Sequence, residues 1–376
     1  MPEAIEVRKF ADIISANVLG HKITHINILK GRYTKKPFEG YAEIVKALPL
    51  TIDAINTKGK FTYITLSNKT NNTNASNLSN PNTKKFYLFN TLGLSGGWTL
   101  NSNKKTDFAR CENCNYMNYK TESSNTVFTY PIIMEYITEA NQNEWFQSAL
   151  KHLNVEFITD IKTKSNSYIK FYFCDQLSFG TLKAIDVNND NDDNDDVLEK
   201  KLKELGPDLL DDKTTFELFR EQIRKKVNNI KSIGNVIVNQ KIVSGVGNYL
   251  RADALWMAKI SPFRKVSEIN DRELENVYRS IKSLMLGDYD YIKGVKLGFI
   301  DNKHTLQNEN TKLATQIIHT LQTTHKLQKY KVPKHYHRNF FVYKQDTDIY
   351  KNVVIKTELY EGSQKRYVYW VDTIQK

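Results

Sequence analysis

Cysteine is scarce in this chain. Three residues in 376, Cys111, Cys114 and Cys174, cannot staple a secreted fold. No apolar run is long enough to cross a bilayer or to form the core of a secretion signal. Acidic side chains are also in deficit, with 42 Asp and Glu against 54 Lys and Arg, for a formal charge of +12. What is present is 40% hydrophobic and 11% aromatic residue content, which excludes a chain disordered throughout and suits two or three packed domains. The expectation is a soluble intracellular protein whose positive surplus favours a polyanion, nucleic acid before a membrane surface.

The charge is unevenly spread. Residues 186 to 196 hold six aspartates and no base, so taking those six out of the formal +12 leaves +18 for the rest of the chain. That run lacks the glycine and glutamate that a calcium loop needs at its sixth and twelfth positions and reads as a solvated linker. Ser67 to Asn82, almost wholly Asn, Ser, Thr and Lys, is too polar to bury anything and is expected as a long disordered hairpin loop. A third polar stretch, Asn101 to Ser124, contains Cys111-Glu-Asn-Cys114 with no second Cys/His pair nearby, so reduced thiols are expected there rather than a metal site.

Val7, Phe10, Ala11, Ile14 and Val18 recur at helical spacing ahead of Gly20, which predicts an amphipathic helix over residues 3 to 19. From there to about Lys183, β-rich runs separated by turn residues predict a sandwich or barrel: 23–29, 52–66, 86–94, 127–137, 155–161 and 168–173. Beyond the linker the period becomes helical, with helices expected over 209–230, 232–243, 249–259, 269–286 and 312–323. Alternation returns from Phe340 to Ile374 as one β-hairpin. The predicted class is α+β with several domains. An N-terminal β-sandwich with flanking helices occupies 1–183, with inserts at about 67–85 and 101–124. An acidic linker at 184–205, a helical domain at 206–330 and a terminal hairpin at 331–376 complete it.

Within the helical region, Gly245-Val246-Gly247-Asn248 forms a turn between two helical patterns. Glycines there allow close backbone approach, and amides at the start of the second helix favour an anion. The stretch from Gln240-Lys241 through Asn248-Tyr249-Leu250-Arg251-Ala252 to Ile260-Ser261-Pro262-Phe263 closely resembles the helix-two-turn-helix motif of the formamidopyrimidine-DNA glycosylase and endonuclease VIII family. Its wording is most similar to the eukaryotic endonuclease VIII-like branch. Four further stretches match in order. Met1-Pro2-Glu3-Ala4-Ile5-Glu6-Val7 resembles the family's start, and Lys58-Gly59-Lys60 its Arg-Gly-Lys strand motif. Leu92-Gly93-Leu94-Ser95-Gly96 resembles its Leu-Gly-Met-Ser-Gly loop, and residues 175 to 180 its Asp-x-Arg-x-Phe-Gly loop.

The start of the chain also has a chemical argument. Cleavage of Met1 would expose Pro2, and an α-amine is about a tenth neutral at pH 7, whereas a lysine is neutral only about once in two thousand. A secondary amine forms a cationic iminium with a sugar C1′, an electron sink for base loss and then for strand elimination. Glu3 is suited to protonate the opening sugar ring. By the resemblance, Pro2, Glu3 and Lys60 are catalytic, with Glu6 in support. Asn248, Arg366, Gly245 and Gly247 bind DNA, and Leu94, Leu177 and Phe179 fill the stack left by an extruded base. Each has a plainer reading: a favourable helix start for Pro-Glu, a helix N-cap for Asn248, buried core for Leu94 and Phe179.

The tail departs from the family. Tyr350, Val353, Val371 and Ile374 fall where four zinc cysteines would stand, so a zincless finger held by apolar packing is expected, with no metal and no cofactor. His335 and His337 read as a basic loop. Thr91 stands where a phosphate-contacting histidine is common, and Asp253 where a glutamate is usual. The resemblance implies a base-excision DNA glycosylase with lyase activity. Such an enzyme would act on damaged double- and single-stranded DNA as a monomer with no membrane partner, in the nucleus or wherever DNA replicates. The competing reading is a non-catalytic helix-two-turn-helix protein. Leu177 also replaces the arginine that reads the opposite base. The expected outcome of a duplex cleavage panel is weak dependence on that base with good activity on single strands, and a strong preference for one opposite base would contradict it.

Overall fold

A computed structural model describes residues 2–68, 84–101, 116–120, 127–131, 151–162, 166–187, 196–293, 340–348, 350–361 and 364–376. Cys111, Cys114, His335, His337, the expected helix over 312–323 and most of the three polar stretches lie outside the described residues. The chain divides into two compact units, Met1–Pro2 with Glu6–Leu202, and Glu3–Ile5 with Lys203–Lys376.

In the first unit, helix α1 (Ala4–Val18) buries Val7, Phe10, Ile14 and Val18, the stripe that the spacing predicts. Gly20 follows in the left-handed region at φ +79°, a conformation that glycine adopts without steric cost. Ten strands among the described residues form one antiparallel order, β10-β4-β3-β2-β1-β8-β9-β5-β7-β6. They are β1 (Lys22–Ile28), β2 (Leu50–Lys58), β3 (Phe61–Ser67), β4 (Lys85–Thr91), β5 (Gly96–Asn101), β6 (Tyr116–Lys120), β7 (Val127–Pro131), β8 (Leu153–Lys162), β9 (Tyr168–Asp175) and β10 (Thr181–Asp186). The order folds over itself. Five strands stand between β4 and β5, yet the buried Trp98 indole on β5 donates to Asn90 Oδ1 on β4 at 3.0 Å. One cluster takes Ile64 and Leu88 from one part of the order and Phe157, Phe171 and Trp98 from the other, the two-layer packing of a sandwich.

The single run expected over 52–66 is two strands, because Gly59 takes φ +58° and turns the chain between Lys58 and Phe61, which pair across the ladder. A glycine with positive φ at the first central position is the requirement of a two-residue hairpin. Helix α2 (Tyr41–Lys46) and strands β5, β6 and β10 were not separate expectations. β10 runs on to Asp186, and Asp196–Lys203 forms helix α3 inside the stretch read as linker.

In the second unit, α4 (Phe216–Ile223), α5 (Ile233–Val236) and α6 (Asn248–Met257) are shorter than the periodicity suggests, while α7 (Asp271–Lys293) runs past the expected end at residue 286. The run over 209–230 starts late because polar side chains capture nearby amides. Asp208 accepts from Leu210 N and Asp211 from Lys213 N, and Thr215 caps α4 by accepting from Leu218 N, the local competition that disfavours helix. The unit closes with the predicted hairpin, β11 (Ile355–Glu361) and β12 (Gln364–Trp370). Its core combines Phe219, Ile233, Leu250, Leu255, Ile281, Val342 and Val371 with Ala4 and Ile5. No described helix is long and apolar enough to cross a membrane.

The middle of the first unit's sheet carries a buried carboxylate. Glu156 on β8 accepts from Asn27 Nδ2 at 2.9 Å, Lys170 Nζ at 2.9 Å and Tyr172 Oη at 3.1 Å. Burial pushes its pKa upward, but the three donors outweigh it and hold it below the ordinary 4.5. A depressed carboxyl stabilises the fold above its ordinary range and loses that contribution as pH falls. Glu156→Gln is therefore expected to cost about 1 kcal/mol in urea unfolding at pH 7, with a smaller gap at acid pH once the carboxyl is protonated. An equal cost at both pH values would contradict this.

Candidate active site and nucleic-acid interface

In the second unit, the glycine-rich turn and the start of the chain are built together. Gly245 takes φ +95°, and its carbonyl accepts from Ala4 N at 3.1 Å. The Gln240 side chain spans the turn, donating to the carbonyls of Val238 and Val246 and accepting from Gly245 N. Gly247 is the residue that caps α6, and it has no side chain to do so. The cap comes from Glu3, 1% exposed, whose Oε2 accepts from Gly247 N at 2.6 Å and Oε1 from Tyr249 N at 3.0 Å. A negative carboxylate at a helix N-terminus is favoured both by the two charge-assisted bonds and by the helix dipole. Asn248 is thus not the N-cap; it is the first helical residue, half-buried beside the capped end.

Arg251, one turn along α6 and fully buried, donates to Asn248 Oδ1 at 3.3 Å and to the Tyr367 carbonyl on β12 at 2.6 Å. One guanidinium thereby relates the asparagine expected to hold a phosphate to the strand that carries Arg366, itself half-buried. Asp253, 0% exposed, accepts from the amides of Phe341, Val342 and Tyr343 at 3.1 to 3.2 Å, fixing the entry to the hairpin region.

At the four positions aligned with zinc cysteines, apolar packing is only part of the answer. Val371 is fully buried and Ile374 packs on the core, while Tyr350 stacks on Trp256 at 5.9 Å. Val353 is 70% exposed and packs little, which corrects the expectation for that residue. The Asp348 carboxylate does the work instead. It accepts from Tyr350 N, Asn352 N and Asn352 Nδ2, and from the Trp256 indole at 3.1 Å. At the far end, Gln375 accepts from Val371 N and donates to the Ile260 carbonyl. Among the described residues no group of three or more His, Cys, Asp or Glu could hold a metal ion.

In the first unit, Pro2 and Glu6 are buried, and Lys60 is half-buried at the tip of the β2–β3 hairpin. The other three candidates are brought together on two clasped loops. Asp175, at the end of β9, accepts from Ser95 Oγ and from Gly180 N, each at 2.6 Å. Ser95 Oγ accepts in turn from Leu177 N at 2.8 Å. Gly93, at φ +60°, lies so close to the second loop that a Cβ there would meet the Phe179 carbonyl carbon at 2.6 Å. Arg32 closes the clasp from behind, donating to the carbonyls of Ser178 at 3.0 Å and Gly180 at 2.5 Å. With the backbone held this way, Leu94, Leu177 and Phe179 stand 49%, 52% and 59% exposed. They are not core. Three large apolar side chains held outward on rigid loops form the kind of exposed patch that signals a binding surface. Thr91 is taken up by a hydroxyl contact with Thr181 at 2.7 Å.

A two-layer antiparallel unit and a helical unit with a glycine turn and a terminal hairpin define the class: a DNA-repair glycosylase fold. Residues 1–182 match the family model described as the formamidopyrimidine-DNA glycosylase N-terminal domain, and residues 205–290 match the H2TH domain of the same enzymes. The chain belongs to the formamidopyrimidine-DNA glycosylase and endonuclease VIII family. Among curated relatives, the formamidopyrimidine-DNA glycosylase of Herpetosiphon aurantiacus is 31% identical over 87 residues, 23% of this chain and 31% of that protein. Endonuclease 8 of Pectobacterium atrosepticum is 30% identical over 80 residues, 21% of this chain and 30% of that protein. The chain thus spans about a third of the length of such relatives. Lactococcus lactis formamidopyrimidine-DNA glycosylase, solved bound to DNA containing an abasic site, matches with a TM-score of 0.58 at 18% identity over 100% of this chain and 99% of that one, a likeness of fold.

Glu3→Ala would strand the amides of Gly247 and Tyr249 in a buried turn. The expected cost is about 1–3 kcal/mol in chemical unfolding, with faster hydrogen exchange at those two amides. Unchanged exchange would show that the carboxylate is not the cap.

Proposed function

We propose that this protein is a bifunctional DNA glycosylase and abasic-site lyase of base excision repair, working on oxidised pyrimidines and hydantoins. The observation that carries the reading is the cap: Glu3, next in sequence to Pro2, is buried on the amides of Gly247 and Tyr249, which flank Asn248. A residue suited to general-acid work is thereby tied to a helix start suited to a phosphate. The exposed Leu94, Leu177 and Phe179 support a mechanism in which the target nucleotide leaves the stack and apolar side chains enter the gap.

In the proposed reaction Met1 is removed and the Pro2 nitrogen attacks the sugar C1′. The bond from C1′ to the base breaks and the base leaves with the proton that the Pro2 nitrogen gives up, while Glu3, in its protonated form, passes its proton to the ring oxygen as the sugar opens to an iminium. The carboxylate left on Glu3 then takes a C2′ proton as the 3′ phosphate is expelled, and a second elimination expels the 5′ phosphate, giving the β,δ product. The iminium is its own electron sink, so the scheme calls on no metal or organic cofactor. Lys60 is proposed at the phosphate beside the flipped nucleotide, with Glu6 supporting the N-terminus. Asn248 and Arg366 would hold the backbone without reading sequence. The protein would act as a monomer on duplex and single-stranded DNA, in the nucleus or at a site of DNA replication.

Borohydride trapping on abasic or thymine-glycol DNA tests the reading. Protein starting at Pro2 is expected to give a covalent species. A version with an N-terminal extension, whose Pro2 nitrogen is an amide, is expected to give none, and Glu3→Gln to slow base release by about 10²–10⁴-fold. Absence of any trapped species from Pro2-initiated protein would leave the non-catalytic binding reading.

A further inference from the structure

The β11/β12 hairpin has a second face. Side chains alternate across a strand, and the pairs Lys356↔Tyr369, Glu358↔Tyr367 and Tyr360↔Lys365 put Lys356, Glu358, Tyr360, Lys365, Tyr367 and Tyr369 on one side, with Tyr369 packing back on the helical core. Leu359 and Val368, 6% and 1% exposed, lie on the other, together with Arg366. On the first side Tyr360 is 58% and Tyr367 42% exposed. The ammonium groups of Lys356 and Lys365 lie 4.4 and 5.3 Å from the Tyr367 ring centroid. Glu358 accepts the Tyr360 hydroxyl and pairs with Lys365, so its charge is compensated within the face.

Both tyrosines are pinned from behind. The Tyr360 carbonyl accepts from Asn235 Nδ2 at 2.7 Å and the Tyr367 carbonyl from Arg251 Nη2 at 2.6 Å, each donor coming from a buried residue of the helical module. Exposed aromatics on a two-stranded ribbon are ordinarily free to shift; here the backbone under each ring is fixed. As diagonal neighbours across the ladder the two residues are about 7–8 Å apart, roughly twice the 3.4 Å step of stacked bases in a duplex strand. That spacing suits two bases of an unstacked strand, one per ring, and does not suit a paired helix, whose base faces are covered.

We propose that this face is a stacking platform for single-stranded DNA, with Tyr360 and Tyr367 each taking a base and Lys356 and Lys365 matching the phosphates. It rests on the DNA-repair reading only for the choice of DNA as the strand, and it gives the protein a single-strand site separate from the residues proposed for catalysis.

The test is fluorescence anisotropy of the full chain with an undamaged 15-nucleotide oligothymidylate and with a duplex of the same length. Tyr360→Ala and Tyr367→Ala are each expected to weaken single-strand binding by about 10-fold, with duplex binding changed less than twofold, and Tyr→Phe at either position to retain the affinity. Equal losses on both probes, no loss on the single strand, or Phe variants as weak as the Ala variants would overturn the platform. Borohydride trapping of the same variants on an abasic duplex keeps the two readings apart. Trapping that survives while single-strand binding is unmoved sinks the platform alone; selective loss of single-strand binding with no trapping in the parent protein sinks the glycosylase reading alone.

Discussion

Everything proposed for catalysis hangs on one carboxylate. Glu3 is buried and spans the two amides that open α6, and Ala4 N adds a third bond to the same turn through Gly245 O. The turn has no side chain of its own for this purpose, because the capping position is a glycine. An uncapped, buried helix start would leave unsatisfied donors, so the turn needs Glu3 as much as Glu3 needs the turn. The consequence for chemistry lies in the sequence: Pro2 directly precedes a residue pinned by buried bonds.

The same solution recurs wherever this chain must shape a loop. Asp175 gathers the hydroxyl of Ser95 and the amide of Gly180, Asp253 the amides of residues 341 to 343, and Asp348 those of residues 350 and 352. In each case a buried acid satisfies loop donors that no regular ladder reaches. At Asp348 the acid and the Trp256 indole shape the segment that the sequence leads one to expect as a zincless finger. A chain with a basic surplus thus shapes its loops on acidic supports.

Much of this architecture was legible in the sequence. The 3.6-residue recurrence from Val7 to Val18 located α1, and Gly20 its end, because both signals are local. The outward-facing role of Leu94 and Phe179 came only through family resemblance, since a large apolar residue in isolation reads as core. The helix expected over 209–230 was too long because apolar spacing does not weigh the short-range bonds of Asp208, Asp211 and Thr215. Arg251, Asp253 and Asp348 went unread as structural residues, since each acquires its meaning from a partner far away: Tyr367, residues 341 to 343, and Trp256. The exposed Val353 shows the converse, an alignment position that carries little packing here.

Peptide mapping of a borohydride-reduced complex between Pro2-initiated protein and abasic DNA tests the central claim most directly. The account predicts that tandem mass spectrometry places the sugar remnant on the nitrogen of Pro2. A remnant on a lysine side chain, with the N-terminal peptide unmodified, would contradict it.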